Sequence, residues 1–196
     1  SPTVQQEQNT GFSLAFAYES YRNKDYQNAY DEFEHFVLQN NPKALMANAY
    51  LLFSGNLPRD FARANQYLAQ VASLKYARAI YLQGLLEKYQ KGLSQFNAKA
   101  ERLVNDAAVM GDYVAANALA NHHFQRGKYA LAQRWNEKAI SLGSSAARQN
   151  QRVISNRQYE PAVQTVPKTV SSPPNTGVIG ELRERSQAGD AGASYD

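Results

Sequence analysis

The sequence has no cysteine. Disulfides, thiolate metal sites, iron–sulfur clusters and cysteine nucleophiles are excluded with it. The absence leaves the compartment open, because some exported proteins also lack cysteine. Histidine is scarce: His35, His122 and His123 are the three present, which argues against a His-rich metal site. β-branched residues are sparse and scattered, so strands have little support. No apolar run approaches the roughly 20 residues of a membrane-spanning helix, and the mean hydropathy is −0.58. Neither sign of charge dominates. The 21 basic and 17 acidic residues leave a net charge of +4, well short of a nucleic-acid-coating protein, so nucleic acid is not an expected partner.

Catalytic signatures are missing too. There is no Gly-rich phosphate loop with Lys and Ser/Thr, no His-Glu-x-x-His and no nucleophile elbow. Adjacent residues on a helix point about 100° apart. His122 and His123 therefore read as hydrogen-bonding side chains, not as ligands of one ion. Asp31, Glu32 and Glu34 read as a solvated helix face. The expectation is a non-enzymatic protein with no cofactor and no metal.

What the chain does contain is an internal period. Small residues recur at Ala29, Ala64, Ala100 and Ala132. A second set follows fifteen residues later each time, at Ala44, Ala79, Ala115 and Ala147. A third set is Ala49, Gly84 and Ala120. Around the first set, Tyr26, Phe61 and Tyr129 stand three residues earlier. Phe33, Leu68 and Val104 stand four later, and Phe36, Val71, Ala107 and Ala139 seven later. These offsets share one helical face, so each period holds a helix with a small residue where another backbone comes close. The third set marks its partner. Turn-forming stretches such as Arg22–Asp25, Gln90–Gly92 and Arg126–Lys128 separate the two. Asn97 and Asn136 break the apolar pattern.

The predicted helices are 11–22, 25–40, 43–54, 60–73, 77–90, 96–109, 113–125, 129–141 and 145–157. A single helix pair of about 35 residues cannot bury its apolar face alone, so the pairs must stack. The predicted organisation is an N-terminal tether over 1–10 and a helical repeat domain over 11–157, made of four repeats and a capping helix. A Pro/Ser/Thr-rich linker follows over 158–180. A short helix over 181–196 reads as the opening of a further repeat, since Gly189-Asp190 echoes Gly111-Asp112.

The stretch Gly55-Asn56-Leu57-Pro58-Arg59-Asp60-Phe61-Ala62-Arg63-Ala64 resembles the loop and second-helix start of Sel-one-like repeats, a branch of the tetratricopeptide superfamily. So does Leu103 through Asp112, followed by Ala115. The last unit, Gly127-Lys128-Tyr129 to Ala132, is similar to the shorter tetratricopeptide form. The resemblance covers about residues 11–152. It implies an all-α fold, a right-handed α-solenoid of about four antiparallel helix pairs with a disordered Pro-rich C-terminal tail. It also implies that the protein holds other proteins.

In such a solenoid the first helix of each pair lines a concave face. Offsets from the small residue place Tyr18, Met46, Tyr50, Phe53, Tyr81, Lys88, Tyr89, Asn117, Asn121 and Phe124 there. A groove of Tyr, Phe and Asn suits a partner's peptide segment. A second surface is basic. Residues 101–157 carry 8 basic and 4 acidic side chains, and Arg126, Lys128, Arg134, Arg148 and Arg152 form the expected basic face. It suits an acidic partner.

The function that the resemblance implies for these surfaces is a protein–protein interaction adaptor or assembly scaffold in a bacterial cell-envelope or secretion machine. The alternative is a carbohydrate-associated scaffold, in exopolysaccharide export or peptidoglycan binding, with acidic polysaccharide as partner. The polar stretch Ser1–Thr10 fits a tether after a removed export signal, with a lipid anchor ahead of residue 1. The expected location is then periplasmic or outer-membrane-anchored, with a cytoplasmic protein as the alternative.

Overall fold

A computed structural model describes residues 13–158 of the 196-residue chain. The expectations for the tether, the linker and the 181–196 helix lie outside the described residues. Among the described residues the chain is all-helical, without strands. No helix there is long and apolar enough to cross a membrane.

The chain divides into two compact units. The described part of the first, residues 13–75, holds α1 (Leu14–Arg22), α2 (Tyr26–Val37), α3 (Pro42–Ser54) and α4 (Phe61–Ala72). In it α1 packs on α2, α2 on α3 and α3 on α4. The described part of the second, residues 76–158, holds α5 (Ala77–Gln90), α6 (Ala98–Val109), α7 (Tyr113–Gln125), α8 (Tyr129–Ser141) and α9 (Ser145–Gln158). Here too sequential neighbours pack, and α9 also touches α7.

The recurring small residues are the close-approach points. Every alanine of the three sets is fully buried. Gly84 shows why size matters at such a point. A Cβ there would sit 2.8 Å from Val104 Cγ2 and 3.1 Å from the Ala100 carbonyl oxygen. Only a bare backbone lets α5 lie this close to α6.

Helix ends follow a two-residue rule. The pairs Lys24-Asp25, Asn40-Asn41, Gly111-Asp112, Gly127-Lys128 and Gly143-Ser144 each begin with a residue at positive φ. The N–H of the second residue then reaches the carbonyl five positions back, as in Asp112 to Ala107 and Ser144 to Ala139. That closes the departing helix in the Schellman manner. The same second residue starts the next helix. The Asp25, Asn41, Asp112 and Ser144 side chains accept N–H bonds from the first turn that follows.

Two predicted boundaries move for reasons visible in these turns. The helix expected to reach residue 40 stops at Val37, because Asn40 is left-handed and Asn41 precedes Pro42. A residue before proline is pushed out of the helical region. The helix expected from 96 starts at Ala98. Asn97, which looked like a polar residue in an apolar slot, is its N-cap and accepts the Ala100 N–H at 2.8 Å.

Each unit is also pinned by a carboxylate. In the first, Glu34 on α2 accepts from Asn48 Nδ2 of α3 and from the Tyr67 hydroxyl of α4, both at 2.8 Å. Arg63 Nη1 donates to the Tyr30 hydroxyl at 3.1 Å. Burial and the bond to Glu34 raise the Tyr67 hydroxyl well above the ordinary tyrosine value, so it stays a donor. In the second, buried Glu87 on α5 accepts from Asn97 Nδ2 (3.1 Å) and Lys99 Nζ (2.9 Å) and pairs with Lys91. Bonds from Lys91, Asn97 and Lys99 hold its carboxyl at about 2, against an ordinary 4.5.

Candidate functional site

The aromatic face expected to meet a partner is covered. Tyr18, Met46, Tyr50, Phe53, Tyr81, Asn117, Asn121 and Phe124 are buried, none more than 7% exposed. Lys88 and Tyr89 are half-buried. Two of the helices that carry these residues, α3 and α7, are buried over long runs. Ten consecutive residues of α3, Ala44–Phe53, are buried, and so are Tyr113–Asn117 and Leu119–Phe124 of α7. The aromatic rings pack against each other. Tyr18 meets Phe33 edge-on at 5.1 Å between centroids, Tyr50 meets Phe53 at 5.4 Å and Phe124 meets Tyr129 at 5.4 Å. Lys88 lies over the Phe96 ring, and burial lowers its ammonium below the ordinary lysine value.

The basic residues are where a partner could reach them. Arg126, Lys128, Arg134, Arg148 and Arg152 are all exposed. They occupy different neighbourhoods. Arg148 and Arg152 lie one turn apart on α9. Arg126 and Lys128 follow α7, where their charge acts on His122 and His123. Arg134 stands on α8 in an apolar setting that the sequence reading missed.

That setting is an open depression of about 390 Å³ lined by Val109 of α6 and Leu131, Arg134, Trp135 and Lys138 of α8. Val109 is 66% exposed and Leu131 39%. Trp135, the sole tryptophan, packs one side on the core cluster of Ala120, Phe124, Ala132 and Ile154. No carboxylate among the described residues pairs with Arg134 or Lys138. Glu137, the nearby acid, accepts from Gln133 Nε2 at 2.8 Å. Chemically, the depression offers an aromatic floor, aliphatic walls and two free cations.

A second cluster lies between α6 and α7. His122 Nε2 is 3.3 Å from Glu101 Oε2, and His123 Nε2 is 3.9 Å from Glu101 Oε1. The two histidines do not diverge as the helical angle suggested. The 100° rule describes Cα–Cβ directions, and the longer imidazoles swing back so that both meet one carboxylate on the facing helix. Phe96 packs on the outer side of His122, with centroids 5.3 Å apart. Burial lowers both imidazoles below the ordinary histidine value, the Glu101 charge opposing it. Both rings are therefore neutral near pH 7 and keep a lone pair. No signal in the sequence pairs Glu101 with residues 21 and 22 positions later.

The buried pair Arg78 and Asp112 is structural. Arg78 Nε donates to Asp112 Oδ2, while Asp112 Oδ1 caps α7 through the Ala115 N–H. Tyr113 lies under the guanidinium at 5.7 Å.

No family model matches the chain, and no curated protein matches it.

Proposed function

We propose that this chain is a non-enzymatic interaction scaffold of the tetratricopeptide or Sel-one-like kind, and that its docking surface is the depression between α6 and α8. The supporting observation is the pairing of exposed Val109 and Leu131 around Trp135 with two cations that have no carboxylate partner among the described residues. Exposed apolar surface rimmed by polar groups is typical of interaction sites. Tryptophan and arginine are the residues that most often dominate binding energy. The partner chemistry that fits is an acidic protein segment carrying a large apolar side chain. The side chain would enter against Trp135, and the carboxylates would meet Arg134 and Lys138.

Trp135 is its own reporter. The experiment is a fluorescence titration with a synthetic peptide that alternates Asp/Glu with Leu and Phe. Controls are the same peptide with Gln and Asn in place of the acids, and a polyuronate. The expected result is a blue shift of Trp135 emission with the acidic peptide. It should weaken with salt and fall at least about tenfold in Val109→Glu and Arg134→Glu, since each 1.4 kcal/mol is tenfold. Equal response to the neutral peptide, or unchanged binding by both variants, would sink the proposal. A response to the polyuronate alone would replace it with the carbohydrate reading.

A further inference from the structure

We infer that Glu101, His122 and His123 form a binding site for one divalent first-row transition-metal ion, with Zn²⁺ the best-fitting case, held between α6 and α7. The site is separate from the docking depression and does not depend on it. One ligand atom from each of the three residues lies within 4.8 Å of the others. Around tetrahedral Zn²⁺, nitrogen and oxygen donors at about 2.0–2.2 Å from the ion stand about 3.4 Å from one another. Glu101 and His122 already have that spacing at 3.3 Å, and His123 is 3.9 Å from the same carboxylate. The whole set lies within 4.8 Å, so the side chains draw together on a single ion.

His123 supplies the independent observation. It is only 6% exposed, yet Nδ1 has no hydrogen-bond partner and Nε2 is too far from Glu101 for one. Buried polar groups are nearly always satisfied. A buried histidine with an unpartnered ring nitrogen, beside a second histidine and a carboxylate, fits an ion that takes one imidazole lone pair. Access is open on one side, since the Glu101 side chain is 36% exposed. Three protein ligands leave a fourth position for water or an exogenous donor.

The surroundings also select the ion. Two imidazoles and one carboxylate favour Zn²⁺, Cu²⁺, Ni²⁺ or Co²⁺ over Mg²⁺ and Ca²⁺, which prefer all-oxygen shells. Arg126 and Lys128 lie close enough to act on both histidines. The chain has no thiolate to compete, and its remaining histidine, His35, is exposed on α2.

The test uses the full, untagged chain. Zn²⁺ is titrated calorimetrically, and Co²⁺ is followed by its visible d–d bands. The expected result is one ion per chain, low-coordinate Co²⁺ bands, and a Zn²⁺-dependent rise in the thermal midpoint. Glu101→Gln and His123→Gln should each weaken binding at least about tenfold, with wild-type helix content by circular dichroism. His35→Gln should bind as wild type. A measurement on the unmodified chain guards against misfolded variants. Zn²⁺ should shift the imidazole proton resonances of His122 and His123 and leave those of His35 in place. No saturable binding, wild-type affinity in both ligand variants, or shifts confined to His35 would each overturn the inference.

Discussion

In the first unit the left-handed positions at helix ends fall on Lys24, Asn40, Gly55 and Lys75. In the second they fall on Gly92, Gly111, Gly127 and Gly143. Glycine adopts positive φ without a Cβ clash, whereas an ordinary side chain there costs roughly 1–2 kcal/mol. The first unit therefore carries backbone strain at Lys24 and Lys75 that the second does not. The same turn is made either way, with Asp25 and Asp112 each capping the following helix. Closure of one helix onto the next demands the conformation, and the local residue preference only sets its cost. The carboxylates differ in parallel. Glu34 is held by a phenol and an amide, and Glu87 by an amide and two ammonium groups. The first unit is pinned by neutral donors and the second largely by charge.

Three measurements sharpen or break this contrast. The largest effect is expected at Asp112. Asp112→Ala removes the cap of α7 and takes the carboxylate partner from buried Arg78. The loss should be about 3–5 kcal/mol in urea unfolding. A loss under about 1 kcal/mol would mean that the second unit does not depend on charge pairing. Next comes acid. The Glu87 carboxyl is depressed in the folded state, so its contribution is fully present above 4.5 and is lost as pH falls from 4.5 towards 2. Urea midpoints should drop through that window in the wild-type chain and drop less in Glu87→Gln. Parallel curves would remove Glu87 from the account. The smallest effect tests the turns. Lys24→Gly should gain about 0.5 kcal/mol, since relief of strain exceeds the added entropy of the unfolded chain, and Gly111→Lys should lose about 1 kcal/mol. Destabilisation by Lys24→Gly would mean that the left-handed lysine carries no strain.

Much of the helix pattern is legible in the alanine spacing, because a small residue at close approach leaves a periodic trace whatever surrounds it. Turn chemistry is partly legible. Asn97 reads as a misplaced polar residue until its bond to the Ala100 N–H shows it to be a cap. On the contact surface, spacing is silent. Offsets along α3 select Met46, Tyr50 and Phe53 as one face, but they carry no information on whether that face is free. A better signal is present: from Ala44 to Phe53 the one polar residue is Asn48. A helix apolar all round is a buried helix. The depression at Trp135 is not legible, since Val109 and Leu131 look ordinary until two helices set them side by side. The histidine cluster fails for the same reason. Its carboxylate comes from the facing helix.

The two-residue junctions also govern how the chain can change length. Where a left-handed residue is followed at once by the cap of the next helix, an extra residue would separate the two roles and rotate everything downstream. Among the described residues, only the stretches from Gly55 to Asp60 and from Lys91 to Asn97 keep closure and capping apart. Insertions, epitope tags or protease sites should be accommodated in those two loops and rejected at Lys24-Asp25, Asn40-Asn41, Gly111-Asp112, Gly127-Lys128 and Gly143-Ser144. Within the described residues, growth by insertion is thus confined to these two loops.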